Sequence, residues 1–430
     1  MATASIAAVL LVGSFLLLVI LRVPVAFCLG VSSFLTVLYL GMPVEMVAQR
    51  IANGINSFSL LAVPFFMLAG QIMGDGGIAE RLIAFAKALV GWMRGGLAQV
   101  NVLDSTFFGG ISGSSTADIA ALGSILIPIM VKEGYDAEFS TNITVTSSIQ
   151  ALLIPPSHNM VIYAMVAGGV SVGQLFMAGL IPGMILGAAL MIYCYFISRI
   201  RNYPKGGPFS IINVFKTSKD SILGLMTVLI IVVGVAFGIF TATESAAISV
   251  LWAFMVTFFV YREIPLSNFW SILGKALQTI SMVLILLGTS SCFGFLLAYL
   301  QIPKMISELM LAATTNPVAI LLMINLILLV FGMLMDMAAT IMIATPILLP
   351  IAVSVGMSPV QFGVVLILNL GIGLITPPVG NSLFLGSIIS GVKVERLVRT
   401  LMPFYCVMLV VLVLVTFVPQ VSMFIPSLMR

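Results

Sequence analysis

The chain has 430 residues, of which 61% are hydrophobic and 7% charged, and carries a formal net charge of +4. So few charges cannot clothe a water-exposed surface, which excludes a soluble globular protein and leaves a polytopic membrane protein. A single histidine and four cysteines (Cys28, Cys194, Cys292, Cys406) scattered through apolar stretches exclude a histidine-based metal centre and a disulfide frame.

Taken in chain order, apolar runs near 4 to 21 and 23 to 40 predict two spans. The first lacks a basic leader and a small-residue cleavage site, so it reads as a retained helix rather than a signal peptide. A short amphipathic connector with Glu45 and Arg50 leads into a run from 60 to 73 containing Pro64-Phe65-Phe66. A semi-polar helix carrying Glu80, Arg81, Lys87 and Arg94 follows. The segment from Gly109 to Thr116 is too polar and glycine-rich to face lipid, and its glycines permit positive φ, so it predicts the turn of a re-entrant hairpin. Runs at 138 to 153 and 172 to 198 close the first half. The linker 199 to 220 gathers Arg199, Arg201, Lys205, Lys216 and Lys219 against Asp220 alone, which predicts a cytoplasmic position. No aromatic interleaving or soluble module accompanies that cluster, so nucleic acid is not its partner. Runs at 221 to 240, 245 to 261, 276 to 300, 317 to 335, 358 to 375 and 401 to 418 complete about ten or eleven spans.

The two halves share a text. Asp118-Ile-Ala-Ala121 precedes Pro128 and then Pro155-Pro156-Ser-His-Asn159; Asp336-Met-Ala-Ala339 precedes Pro346 and then Pro377-Pro378-Val-Gly-Asn381. Paired breaks at corresponding positions of two halves point to a substrate and ion site in a transporter. The predicted fold is all-α, with two repeats, inverted relative to each other, each holding a hairpin and a broken helix. Its parts are N-terminal scaffold helices (1 to 60), a first repeat (61 to 198), the basic linker (199 to 220), scaffold helices (221 to 275), a second repeat (276 to 400) and a C-terminal helix (401 to 430).

Each double proline removes two backbone donors, so the carbonyls of Ala151, Leu152, Gly373 and Leu374 lose their helical partners. Hydrocarbon cannot satisfy such oxygens, and they must face protein, water or a cation. A hard ion such as sodium suits them, with two or more sites. Candidate ligands are Ser112, Gly113, Ser114, Pro155 and Asn159 in the first half and Thr340, Thr376, Gly380 and Asn381 in the second. Both asparagines are placed to bridge backbone across their breaks. Pro-Pro-x-x-Asn also makes ordinary extramembrane turns; the recurrence of the surrounding pattern favours the intramembrane reading.

Ser115, Thr116, Asp118, His158 and Asp336 are candidates for the substrate. Ionisable groups within apolar stretches default to function, but Asp118 and Asp336 are equally suited to capping the half-helix after each tip. His158 can titrate, orient a carboxylate or cap its break. Thr241-Ala-Thr-Glu244 fits an N-cap with an acid in the first turn. The absence of a nucleophile-base-acid constellation and of a Walker pattern argues against an enzyme and against nucleotide-driven transport.

Five motifs in order now carry a resemblance: Ala62 to Gly70, Gly109 to Asp118, Ile154-Pro-Pro-Ser157, Gly238 to Glu244 and Thr376 to Gly380. Over essentially its whole length the chain resembles the large membrane subunit of tripartite ATP-independent periplasmic (TRAP) transporters. Ala242 stands where that family commonly has proline. The resemblance implies a multi-pass protein of the bacterial inner membrane that imports an organic acid with sodium. It implies a periplasmic substrate-binding protein and a small membrane subunit as partners, and an elevator motion of a block carrying both hairpins. Ser157-His158-Asn159 resembles the sialic-acid branch more than the C4-dicarboxylate branch. A carrier of another carboxylate, a proton-coupled carrier using His158, Asp118 or Asp336, and an ion channel lined by the hairpins are the alternatives.

Overall fold

In lipid, a backbone that pairs all its polar groups within one segment must be helical. The computed structural model describes residues 2–21 and 23–429, and these form helices with no strand among them. Among the described residues eight helices are long and apolar enough to cross a membrane, or nine if a bent pair counts as one span. That is fewer than the ten or eleven spans expected, because several apolar runs fold as short or broken pieces. The run from 60 belongs to Ala62–Asp75, which meets Ile78–Val90 at a 73° bend; Arg94 lies beyond the latter helix. The run from 138 to 153 splits into Ala137–Ser147 and Gln150–Leu153.

Two hairpins anchor the interior. The first consists of Gly96–Ser112 and Ser115–Lys132, the second of Pro317–Leu334 and Met337–Ser354. Both turns are tighter than the sequence suggests: helix runs through Gly109 and Gly110 to Ser112, leaving Gly113-Ser114, and the second turn is Met335-Asp336. Each hairpin is followed by a broken helix. One ends at Leu153 and restarts as His158–Ala167; the other, Pro359–Leu374, restarts as Asn381–Ser390. The Pro155-Pro156 and Pro377-Pro378 bonds are both cis.

Contacts along these broken helices fix their directions. The Tyr163 hydroxyl, late in the first, donates to the carbonyl of Pro359, which opens the second, at 2.5 Å. At the other end Gly386 packs on Thr141 and Val145. The two therefore run antiparallel.

Matching elements sit 222 residues apart: Pro155 with Pro377, Asn159 with Asn381, the turn glycines Gly134 with Gly356, and the starts of Val172–Ile200 and Val394–Phe417. At this offset Asp336 is matched by Ser114, and both are N-caps. Asp118 is matched by Thr340 instead. The pairing of Asp118 with Asp336 read from the sequence is thus four residues, about one helical turn, out of register.

The basic linker marks one face. The Gly95 N–H donates to the Pro204 carbonyl at 3.1 Å, Arg201 pairs with Asp136 at 2.6 Å, and Arg396 lies 3.6 Å from Glu138. Burial pushes the Tyr203 hydroxyl up to about 12, so it remains a neutral donor to Asp136. Arg81 pairs with Glu263 and Lys275 with Asp75 on the same side. Lys and Arg are thus concentrated on this face.

Candidate functional site

Glycine and serine shape the first tip. Gly113 has φ +60°, and a Cβ there would come within 2.2 Å of the Pro156 carbonyl oxygen, so only glycine lets the tip seat against the break. Ser114 then caps the second arm, accepting from the Ala117 N–H at 3.4 Å. At the second tip the Asp336 carboxylate accepts from the Ala338 N–H at 3.1 Å.

A cavity of about 680 Å³ receives both tips and both restarts. Ser112, Ser114, Ser115 and Thr116 line it from the first hairpin, His158 and Asn159 from the first break, Asp336 from the second tip and Asn381 from the second break. The breaks therefore share one chamber. Its wall continues to Asp75, Glu80 and Ala276, next to the basic face. Ser115 Oγ lies 2.7 Å from Ser148 Oγ and 2.9 Å from Ser382 Oγ, tying the first tip to the broken helices of both halves.

Six other candidates stand behind the wall. Gly113 and Pro155 pack between the first tip and its break. Thr340 Oγ1 donates to the Asp336 carbonyl at 2.9 Å and Thr376 Oγ1 to the Ile372 carbonyl at 2.7 Å, so both hydroxyls serve their own helices. Gly380, at φ +44°, precedes the second restart. Asp118 is fully buried and accepts from Ser105 Oγ at 2.8 Å; its other oxygen has no partner among the described residues. It caps nothing.

Other expectations need correction. His158 does not cap its break: Ser157 holds the N-cap position, while His158 lines the cavity with an Nδ1 that has no partner among the described residues. Neither Asn159 nor Asn381 bridges backbone: both line the cavity, and among the described residues neither amide makes a protein hydrogen bond. The Gly373 carbonyl is not orphaned; it takes the Thr376 N–H at 2.9 Å. Among the described residues no backbone donor reaches the carbonyls of Ala151, Leu152 or Leu374. Thr241 and Glu244 form a reciprocal capping box, as their spacing suggests.

The family model of the tripartite ATP-independent periplasmic transporter, DctM component, matches residues 12–421. The chain belongs to the DctM family. It is a transporter permease rather than an enzyme, and a multi-pass protein of the inner membrane. The chain is 39% identical to the sialic acid TRAP transporter large permease protein SiaM of Vibrio cholerae, over 90% of each chain. It is 37% identical to the C4-dicarboxylate large permease DctM of the same organism, over 96% of each. The fold of the Alcanivorax borkumensis YdaH transporter is similar at a TM-score of 0.60, with 13% identity and 86% of each chain covered.

In this DctM chain a buried polar network behind the first tip escaped the sequence reading. Ser105 Oγ lies 2.8 Å from Ser147 Oγ, Ser147 donates to Asn101 Oδ1 at 3.1 Å, and Asn101 Nδ2 donates to Thr144 Oγ1 at 2.7 Å. Thr106 and Gln150 pair beside it at 2.8 Å. The signal was there: Ser140 to Gln150 is dense in hydroxyls and amides within a run scored as apolar. Asp118 also directly precedes a π-helical turn, Ile119–Gly123, a distortion that often marks functional sites.

Proposed function

We propose that the chain imports an organic anion coupled to sodium, with sialic acid as the first substrate to test and a C4-dicarboxylate as the alternative. One observation carries the reading: both tips and both breaks converge on a single chamber. Unpartnered carbonyls at Ala151, Leu152 and Leu374, with hydroxyl and amide oxygens nearby, offer the neutral hard ligands that sodium prefers. The starts of Ser115–Lys132, His158–Ala167 and Asn381–Ser390 direct helix N-termini toward the chamber, which favours an anionic substrate there. Sodium that organises the tips lowers the cost of ordering the substrate site, and each ligand then binds better with the other present.

The antiparallel broken helices suit an elevator in which both hairpins travel together, and the chamber's continuation toward the basic face suits an inward-facing state. A periplasmic binding protein delivers the substrate and a small membrane subunit braces the assembly in this reading.

Uptake of labelled sialic acid into proteoliposomes holding the large and small subunits, with the binding protein outside, is the test, with malate as the second substrate. Accumulation that requires an inward sodium gradient is the expected result. Accumulation driven equally well by a pH gradient alone would overturn sodium coupling and favour the carrier that uses His158, Asp118 or Asp336.

A further inference from the structure

A second cavity, also about 680 Å³, opens away from the chamber on the basic face, the face that the positive-inside rule assigns to the cytoplasm. Arg94, Arg199 and Lys205 line it, and no acidic residue does. None of the three has an acidic partner among the described residues; Arg199 only rests on the Tyr195 ring at 5.2 Å. Three like charges converging on one groove repel unless an anion joins them.

The groove is built rather than incidental. Gly95 holds φ +69°, and a Cβ there would come within 2.0 Å of Ser198 Oγ, so the loop bearing Arg94 is pressed onto the helix bearing Arg199. The loop with Lys205 is locked on by a backbone bridge to Arg94.

Its depth is that of lipid headgroups. Val172–Ile200 has 29 residues, about 43 Å of helix against a hydrocarbon core of about 30 Å, so Arg199 in its last turn lies beyond the acyl chains. Trp92 and Tyr195 stand at the groove like an interfacial aromatic belt. On the hydrocarbon side Ile192 and Phe196 line the same cavity and are 59% and 60% exposed, a surface for tails. Gln99, fully buried, also lines it, and its Oε1 has no partner.

We propose that this groove binds an anionic phospholipid of the cytoplasmic leaflet, phosphatidylglycerol or a lipid with the same glycerol phosphate. The phosphate meets Arg94, Arg199 and Lys205, and a glycerol hydroxyl supplies the donor that Gln99 Oε1 lacks. Phosphatidylethanolamine brings an ammonium to three cations and is disfavoured.

Native mass spectrometry of the full chain with its small membrane subunit, titrated with phosphatidylglycerol or phosphatidylethanolamine, tests the site. Retention of phosphatidylglycerol about tenfold above phosphatidylethanolamine is expected. Each cation removed should cost about fivefold in retention, so Arg94→Gln/Arg199→Gln together should lose most of the adduct. Lys205→Gln, in an exposed loop, gives the same reading should the double variant fold poorly. Inorganic phosphate should not displace the lipid; displacement would mean a free-anion site and overturn the proposal. Equal retention of both lipids, undiminished retention in Lys205→Gln, or retention only without the small subunit would overturn it as well.

Discussion

The two breaks carry the same Pro-Pro-x-x-Asn text and the same cis geometry, yet they inhabit different surroundings. Every residue from Ala151 to Ser157 is buried, while Pro378, Val379 and Asn381 are exposed. Behind the first break stands the network through Ser105, Ser147, Asn101 and Thr144. At the matched positions of the second half, Ser105 becomes Ile327 and Asn101 becomes Met323. A repeated sequence thus sets the course of the backbone twice, and side chains a turn or two away decide how each copy is held. The first copy is seated by the chain through Ser105 and a close tip, the second by an amide pair, Asn369 Nδ2 donating to Asn325 Oδ1 at 2.8 Å, beside a more open break.

The largest expected difference lies at the tips. Gly113→Ala adds a Cβ on left-handed backbone and drives it into the Pro156 carbonyl. About 1 to 2 kcal/mol of backbone cost adds to about 1 to 3 kcal/mol of overpacking. Uptake should fall to background, with a clear drop in the thermal unfolding midpoint. The matched residue, Met335, has φ −130°, so Met335→Leu should cost under about 1.5 kcal/mol and keep uptake. Wild-type transport by Gly113→Ala would remove the distinction between the two tips.

Next comes the network. Ser105→Ala strips Asp118 of its one side-chain partner and leaves a buried carboxyl wholly unmatched, a cost of about 1 to 3 kcal/mol or more. Ile327→Val at the matched position trims one methylene, for about 0.5 to 1.5 kcal/mol. Equal shifts in unfolding midpoint for the two variants would mean that the polar seat of the first hairpin contributes nothing special.

Much of this plan was legible in the sequence. The double prolines and the Thr241/Glu244 box rest on backbone rules that act over a few residues, and each lies where the local text puts it, while the first tip uses only Gly113-Ser114 of its glycine-rich stretch. Two features were not legible. Asp118 and Asp336 look equivalent because each precedes alanines and a proline ten residues on, but the pairing of helices in space follows the double prolines and puts Ser114 opposite Asp336. The Asn101 to Thr144 contact joins residues 43 positions apart, and nothing local announces which hydroxyls in an apolar run will meet. His158 likewise reads as a cap until the helix start at Ser157 is seen.

The caps themselves allow a finer comparison. Ser114→Ala and Asp336→Ala should each cost about 1 kcal/mol, since both remove an N-cap acceptor. Asp336→Asn separates capping from charge, because asparagine caps as well as aspartate. If the Asp336 carboxylate serves sodium or substrate, Asp336→Asn keeps the unfolding midpoint and raises the half-saturating sodium concentration in uptake assays. An unchanged sodium curve would confine Asp336 to capping.

The smallest stability effect, and the sharpest functional contrast, belongs to the asparagines. Among the described residues neither side chain has a protein hydrogen bond to lose, so Asn381→Ala, at an exposed position, should shift stability by no more than about 0.5 kcal/mol, and Asn159→Ala, at a buried one, only by the small space its amide leaves. Both amides line the chamber. An amide kept at the wall without a protein partner is free for an ion or a substrate, and its removal should appear as weaker sodium dependence in folded protein. Asn159 is 4% exposed whereas Asn381 is open to the cavity mouth. Loss of a ligand is harder for water to replace at the enclosed position, so Asn159→Ala should raise the half-saturating sodium concentration more than Asn381→Ala does. Identical sodium curves for wild type and both variants would leave the breaks as structural turns, and the reading of the chamber as an ion site would fail with them.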